Sequence, residues 1–349
     1  MKKVVLIADQ NSQYSDFSEE RIQCLLDPLK ELGCECKTVV DNGLYCDGDE
    51  RRAAVLRIEK NGPEWVRHDR EFLDAVKDAN ILLVHYSAVG KQLIDNCPDL
   101  ELICVMRSGK ENVNVEYATE KGIKVCTAPG RSSEQVADMT VAYILALNRN
   151  LANNNLTHVP GFNINYPQNP KLMKDMTIGF VGFGDIAKRV QKRLAGFGCK
   201  FIAYDPYANV EQAAALGVKM MELNEVMANA DVVSVHARLL PSTQGLVGKE
   251  QFECMKPDAM FVNSARAGLI DNDALLEILK AHKIRSAALD VFAQEPLPDD
   301  SEFRKLDNVI LTPHIAGRIE DGGKISVELV VEETIRYLKG EPLKAQVRV

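Results

Sequence analysis

The chain has 349 residues, 46% of them hydrophobic and 26% charged, with 42 Lys and Arg against 50 Asp and Glu for a formal net charge of -8. That length exceeds what a single hydrophobic core sustains, so two domains of roughly 150 residues are expected. The acidic balance supplies no field for holding nucleic acid or an anionic membrane, which leaves small molecules as the ligands of a soluble globular protein.

The N-terminus, MKKVVLIADQ, has too short an apolar run for a secretion signal and no small-residue cleavage site. The run VAYILAL falls far short of the roughly 20 residues that span a bilayer. A cytoplasmic protein is expected. The nine cysteines are odd in number and scattered, and the close pair Cys34 and Cys36 has no second pair, so reduced thiols are expected in place of disulfides or a metal site.

In chain order, KKVVLIA reads as a buried strand, EERIQCLLDPLKELG as an amphipathic helix stopping at Gly33, and ILLVHY and ELICVM as further strands. Such alternation predicts an α/β unit with a parallel sheet and helices on both faces. SSEQVADMTVAYILALNRNLANNN, with Ser caps and a long apolar stripe, predicts a long helix at a domain junction. A loop at NINYPQNPK precedes a second alternating series from Met176, and EDGGKISVELVVEETIRYLKGEP reads as a last helix ending at Gly340. Helices so placed can carry the chain out of the first domain and back.

The second series opens MTIGFVGFGDIAKRV, where a strand from Thr177 to Val181 runs into Gly182, Gly184 and Ala187 in a G-x-G-x-x-A pattern and then a helix. The first glycine permits the tight turn. The second lets backbone amides, with Asp185 and Ile186 opening the helix, approach a pyrophosphate, and the third position must be small for the helix to lie on the sheet. The next strand, CKFIAYDP, ends in Asp205, 21 residues past Gly184. A carboxylate there accepts both ribose hydroxyls and repels a 2′-phosphate, so NAD is expected over NADP; the plain alternative is a solvated Asp opening a turn before Pro206.

Three later strand exits carry unusual polar residues: MFVNSARAGLID, SAALDVFAQEPLP and VILTPHIAG. Ligands of a doubly wound sheet sit outside the carboxyl ends of strands, so Arg266, Glu295 and His314 can share one crevice. Each alone has a bland reading, as a capping residue, a solvated acid or a structural histidine. Together they suit reduction of a 2-keto acid. Arginine grips the carboxylate and polarises the ketone, histidine gives the proton, a carboxylate sets the imidazole, and a nicotinamide supplies the hydride.

These blocks, together with VHARLLPSTQGLVGKEQFECMKPDAMFVNSARAGLID, ALDVFAQEP and LTPHIAG, resemble the D-isomer-specific 2-hydroxyacid dehydrogenases from about Ile81 to Gly317. The resemblance implies two Rossmann-like doubly wound domains. One is a flavodoxin-like substrate domain over 1–130 and 318–349, the other an NAD-binding domain over 131–317, and a homodimer through the latter is expected. Arg266 would bind substrate, Glu295 would pair with histidine, and His314 would exchange the proton. His236, Ala237, Thr243, Ser264, Ala265, Asp290 and Gly317 would join Gly182, Gly184, Asp185, Ile186 and Asp205 around the cofactor. The loops HYSAVGK and MRSGKENVNV would present Tyr86, Ser87, Ala88, Ser108 and Gly109 to the substrate, with the site between the domains.

Departures from the family pattern bear on the substrate. Arg107 and Lys110 in the second loop suit a further anionic group, unless Lys110 simply pairs with Glu111 in solvent. Arg238 stands where many relatives have Pro, and Asp138 where Glu is common. Because the chain stops at Val349, no appended regulatory domain is expected. Glu295 opposes a formate-type dehydrogenase, which pairs its histidine with glutamine. The non-enzyme alternative is an NAD-sensing corepressor-like scaffold.

Overall fold

The computed structural model describes residues 1–9, 19–41, 57–58, 60–154, 170–319 and 322–347. The chain divides into two compact units, Met1–Arg131 with Ile319–Val349, and Ser132–Arg318.

The first unit is built on five parallel strands: β1 (Lys3–Asp9), β2 (Glu35–Asp41), β3 (Ile81–Val84), β4 (Leu102–Val105) and β5 (Lys124–Thr127), in the order β2-β1-β3-β4-β5. Every residue of β3 and β4 is buried, as a sheet covered on both faces demands. Successive side chains point to opposite faces. Ile81 and Leu83 therefore pack with Leu26, Leu29, Val327 and Val330 of the helices Glu19–Glu31 and Gly322–Leu338, while Leu82 packs with Phe72, Leu93 and Val115 on the other side. The first helix stops where expected: Gly33, at φ 81°, turns left-handed and its amide donates to the Lys30 carbonyl.

The second unit has seven parallel strands: β6 (Thr177–Val181), β7 (Lys200–Tyr204), β8 (Val218–Met220), β9 (Val232–Val235), β10 (Met260–Asn263), β11 (Ser286–Leu289) and β12 (Val309–Leu311). Their order, β12-β11-β10-β9-β6-β7-β8, reverses direction between β6 and β9. The helix Ser133–Asn148 lays Ala137, Tyr143, Ile144 and Leu147 on this sheet against Ile178, Phe180, Val262 and Ala288. It is shorter than its sequence stretch suggests. Asn150 adopts φ 47°, and the Asn153 amide donates to the Asp307 carbonyl while that of Asn154 donates to the Asn150 carbonyl. A left-handed Asn150 and an Asn154 amide bonded to its carbonyl turn the chain away from helix.

The two doubly wound sheets expected from the alternation of strands and helices are thus present. Residues 155–169, which hold His158 and most of the loop before Met176, lie outside the described residues. Among the described residues no helix is long and apolar enough to cross a membrane.

Candidate active site

The reversal of strand order in the second sheet opens a crevice beyond the ends of β6 and β9. Gly182 leaves β6 at φ 89°, and a Cβ there would lie 2.5 Å from the Ala237 amide nitrogen and 2.8 Å from the His236 carbonyl carbon. The turn is therefore open to glycine alone. Gly184 faces open space, with nothing within 4 Å of where a Cβ would stand, and it opens the helix Asp185–Ala195, whose first amides are available to an anion. Ala187, in the first turn of that helix, is fully buried.

Asp205 follows β7, and its Oδ2 accepts the Phe183 amide at 2.8 Å while Oδ1 accepts the Tyr207 amide at 2.9 Å. The carboxylate ties the glycine turn to the neighbouring strand and keeps further lone pairs for ribose hydroxyls. Its next neighbours are Pro206 and Tyr207, neither of them a cation for a 2′-phosphate. His236 ends β9 with its Nε2 2.8 Å from Ser234 Oγ, and burial pushes its imidazole down to about 4, so it sits there neutral. Thr243 Oγ1 donates to the Arg238 carbonyl and accepts the Leu240 amide, which shapes the loop beyond. A dinucleotide fits what is present: a close-approach turn, a free helix start and a carboxylate at the next strand end.

β10, β11 and β12 are adjacent and in register, with Asn263 beside Leu289 and Leu289 beside Leu311. Their three exits therefore leave one end of the sheet side by side. At the first, buried Asn263 accepts the Ala265 amide at 3.0 Å and donates to the Arg266 carbonyl at 3.1 Å. The exposed Arg266 is thus held at its backbone, with Nη1 2.7 Å from the Ala265 carbonyl. Ser264 is buried, its Oγ 3.2 Å from Thr140 Oγ1.

At the second and third exits, Glu295 Oε2 lies 2.9 Å from His314 Nδ1, and Glu295 Oε1 accepts the Phe292 amide at 2.9 Å. The glutamate side chain is 12% exposed and the imidazole 41%. An acid against Nδ1 favours the tautomer protonated there and leaves Nε2 for another partner. Asp290 is fully buried, with Oδ1 accepting Thr312 Oγ1 and the Ile315 amide and Oδ2 accepting the Ala316 amide. It grips the loop on both sides of His314, a role its sequence position among cofactor residues did not announce. Gly317 packs against Ser132, 3.1 Å from a Cβ built there.

In the first unit, β3 and β4 pair Val84 with Val105, so their exits also emerge together. Ser87 and Ala88 are buried, backbone included. Buried Asn112 donates to the His85 and Ser87 carbonyls, and its own carbonyl accepts the Val89 amide, joining the two loops. The Arg107 guanidinium stacks 4.3 Å from the Tyr86 ring, and Ser108 Oγ donates to the Ala128 carbonyl. Lys110 is exposed. The solvent pair of Lys110 with Glu111 does not form among the described residues, because the Glu111 carboxylate folds back over Gly109, whose missing Cβ would meet Oε2 at 2.2 Å.

Sequence reading missed the support beneath this wall. His68 Nε2 sits 2.7 Å from the Ala88 carbonyl and Nδ1 lies 3.6 Å from Asp41. Burial presses this imidazole toward neutrality, but Asp41 and the Ala88 carbonyl outweigh it and raise its pKa. Neither residue stands in a recognisable motif, and 27 positions separate them.

A family model described as the NAD-binding domain of D-isomer specific 2-hydroxyacid dehydrogenases matches residues 141–316. D-3-phosphoglycerate dehydrogenase of Methanocaldococcus jannaschii is 40% identical over 278 residues, covering 78% of this chain and 52% of that protein. Glyoxylate reductase of Thermococcus litoralis is 31% identical over 282 residues, covering 77% of this chain and 83% of that one. The solved D-lactate dehydrogenase of Lactobacillus jensenii with NAD+ superposes with a TM-score of 0.78 at 25% identity, covering 99% of this chain and 100% of that one. The chain spans about half the length of the phosphoglycerate dehydrogenases it matches.

Proposed function

The chain belongs to the D-isomer specific 2-hydroxyacid dehydrogenase family, and from that premise we propose that it interconverts a small 2-keto acid and its D-2-hydroxy acid, with NAD as cofactor. The observation that carries this reading is the Glu295 to His314 contact of 2.9 Å at the sheet end that also holds Arg266. When bound, the nicotinamide supplies or takes up the hydride.

His314 gives a proton from Nε2 to the forming alkoxide and takes it back in the reverse direction, while Glu295 stabilises the charged ring through Nδ1. Arg266 meets the substrate carboxylate in a fork of two hydrogen bonds and polarises the ketone. The turn at Gly182 and Gly184, the helix start at Asp185 and Ile186, and Asp205 hold the dinucleotide. His236, Ala237, Thr243, Ser264, Ala265, Asp290 and Gly317 line or support its far half. Backbone amides near Tyr86, Ser87, Ala88, Ser108 and Gly109 receive the substrate's carboxylate, and Arg107 and Lys110 favour a substrate with a second anionic group, of the phosphoglycerate or hydroxypyruvate/glyoxylate type.

The first unit is accordingly the substrate domain, and the working form is a cytoplasmic homodimer; a monomeric mass in solution would count against the dimer. The reading as a whole is tested by two variants. His314→Gln should lower turnover on the order of 10²- to 10⁴-fold, the usual worth of a placed general acid, with NADH binding retained. Arg266→Ala should raise KM as well as lower kcat, because it serves binding and polarisation together. Native turnover by either variant would sink the assignment.

A further inference from the structure

The apolar stripe of the helix Ser133–Asn148 carries a phenol, Tyr143, in the middle of the core and 3% exposed. Burial raises its pKa well above the ordinary tyrosine value, so it stays an O–H donor. That hydroxyl contacts Thr312 Oγ1 and lies 3.3 Å from Asp290 Oδ1. Thr312 has a single hydroxyl proton and spends it on Asp290 Oδ1 at 2.6 Å. Tyr143 therefore donates to Thr312 Oγ1 or directly to Asp290 Oδ1, and both routes end on Asp290.

Asp290 passes the constraint on by accepting the Ile315 and Ala316 amides at 2.9 and 2.8 Å. His314 lies between the side chain that Tyr143 grips and the two amides that Asp290 grips. Its own backbone is left-handed, φ 55°, with its amide donating to the Thr312 carbonyl at 3.0 Å. A left-handed backbone is uncommon for a residue other than glycine, and here hydrogen bonds on both sides of it hold the turn. We infer that Tyr143 is a positioning residue for His314: through Thr312 and Asp290, its hydroxyl holds the left-handed turn that sets His314 against Glu295. The kinetic part of this inference rests on the proton-transfer role proposed above; the structural part does not.

The test compares Tyr143→Phe, Thr312→Val, the double variant and the conservative Thr312→Ser. In protein without cofactor, NMR of labelled histidines reads the Nδ1 proton of His314, identified by its disappearance in His314→Gln. The native protein should show it sharp and downfield, as expected for a proton held by Glu295. Tyr143→Phe and Thr312→Val should broaden or lose it, and Thr312→Ser should keep it. In turnover, each of the two disruptive variants should lower kcat roughly tenfold, a misplacement effect, with KM and NADH affinity within about twofold. Because both act on Asp290, the losses in the double variant should not multiply.

A native proton signal and native kcat in Tyr143→Phe would overturn the inference, as would losses that multiply in the double variant. If Tyr143→Phe does not fold, the contrast between Thr312→Val and Thr312→Ser decides. If no keto acid is turned over at all, the enzymatic reading fails while the proton signal still decides this one.

Discussion

His314 occupies a backbone conformation that costs a non-glycine residue on the order of 1 kcal/mol or more, and the neighbouring hydrogen bonds sustain it. Gly182 is the opposite case, a residue at which the fold leaves no room for a side chain. Gly182→Ala forces a Cβ to 2.5 Å from the Ala237 nitrogen at a φ of 89°, so either the turn or the exit of β9 must move. NADH affinity measured by fluorescence titration should collapse in that variant, while Gly184→Ala, which meets open space, should lose far less. Equal losses would mean that the turn does not approach the cofactor closely.

The residues that sequence made legible are those that punctuate it: glycines at a turn, an acid at a strand end, a histidine between Pro and Ile. Tyr143, Thr140 and Asn112 were not legible. Tyr143 reads as one more apolar position of a helix stripe, and its partner Thr312 is 169 positions away, just as the Thr140 contact with Ser264 spans 124. A polar group buried by the fold declares its role only once its partner is in place.

At the scale of elements, register does the positioning. Adjacent parallel strands β10, β11 and β12 deliver three loops to one sheet end, which is why residues spread over MFVNSARAGLID, SAALDVFAQEPLP and VILTPHIAG can work together. Strands and helices were readable from periodicity, whereas the end of the Ser133–Asn148 helix was not, because asparagine side chains competing for backbone carry no periodic mark. The start of β6 is anchored by Asp231, which accepts the Thr177 amide at 2.8 Å and meets Lys171 and Lys256 at 2.9 and 3.2 Å.

Burial alone would raise the pKa of Asp231, but the Thr177 amide and the two lysines outweigh it and the net shift is downward. A folded pKa below the unfolded one, about 3.9 for a free Asp, gives stability that is present above the unfolded value. It is lost as pH falls through the folded value. Asp231→Asn should therefore cost roughly 1–3 kcal/mol near neutrality, and the gap from the native protein should close as urea titrations move below about pH 4. A gap independent of pH would show that the charge is not what anchors the strand.

For the molecule as a whole, the acidic balance and the alternation of strands and helices pointed to a small-molecule protein of two parallel-sheet units before any contact was visible. Both sheets are there, each with a reversal of strand order where a ligand can bind. The side chain that the substrate carries was not readable from Arg107 and Lys110, the first stacked on Tyr86 and the second exposed. Asp205 beside Pro206 predicts NADH in preference to NADPH.

The most direct test of the central claim is nicotinamide absorbance during incubation with glyoxylate, hydroxypyruvate, pyruvate, oxaloacetate, 2-oxoglutarate and 3-phosphohydroxypyruvate, each with NADH and with NADPH. The predicted result is turnover of at least one keto acid with NADH preferred, fastest with one bearing a second anionic group. Tight NADH binding without turnover of any of them would contradict the assignment of His314 as the proton carrier of a 2-hydroxyacid dehydrogenase.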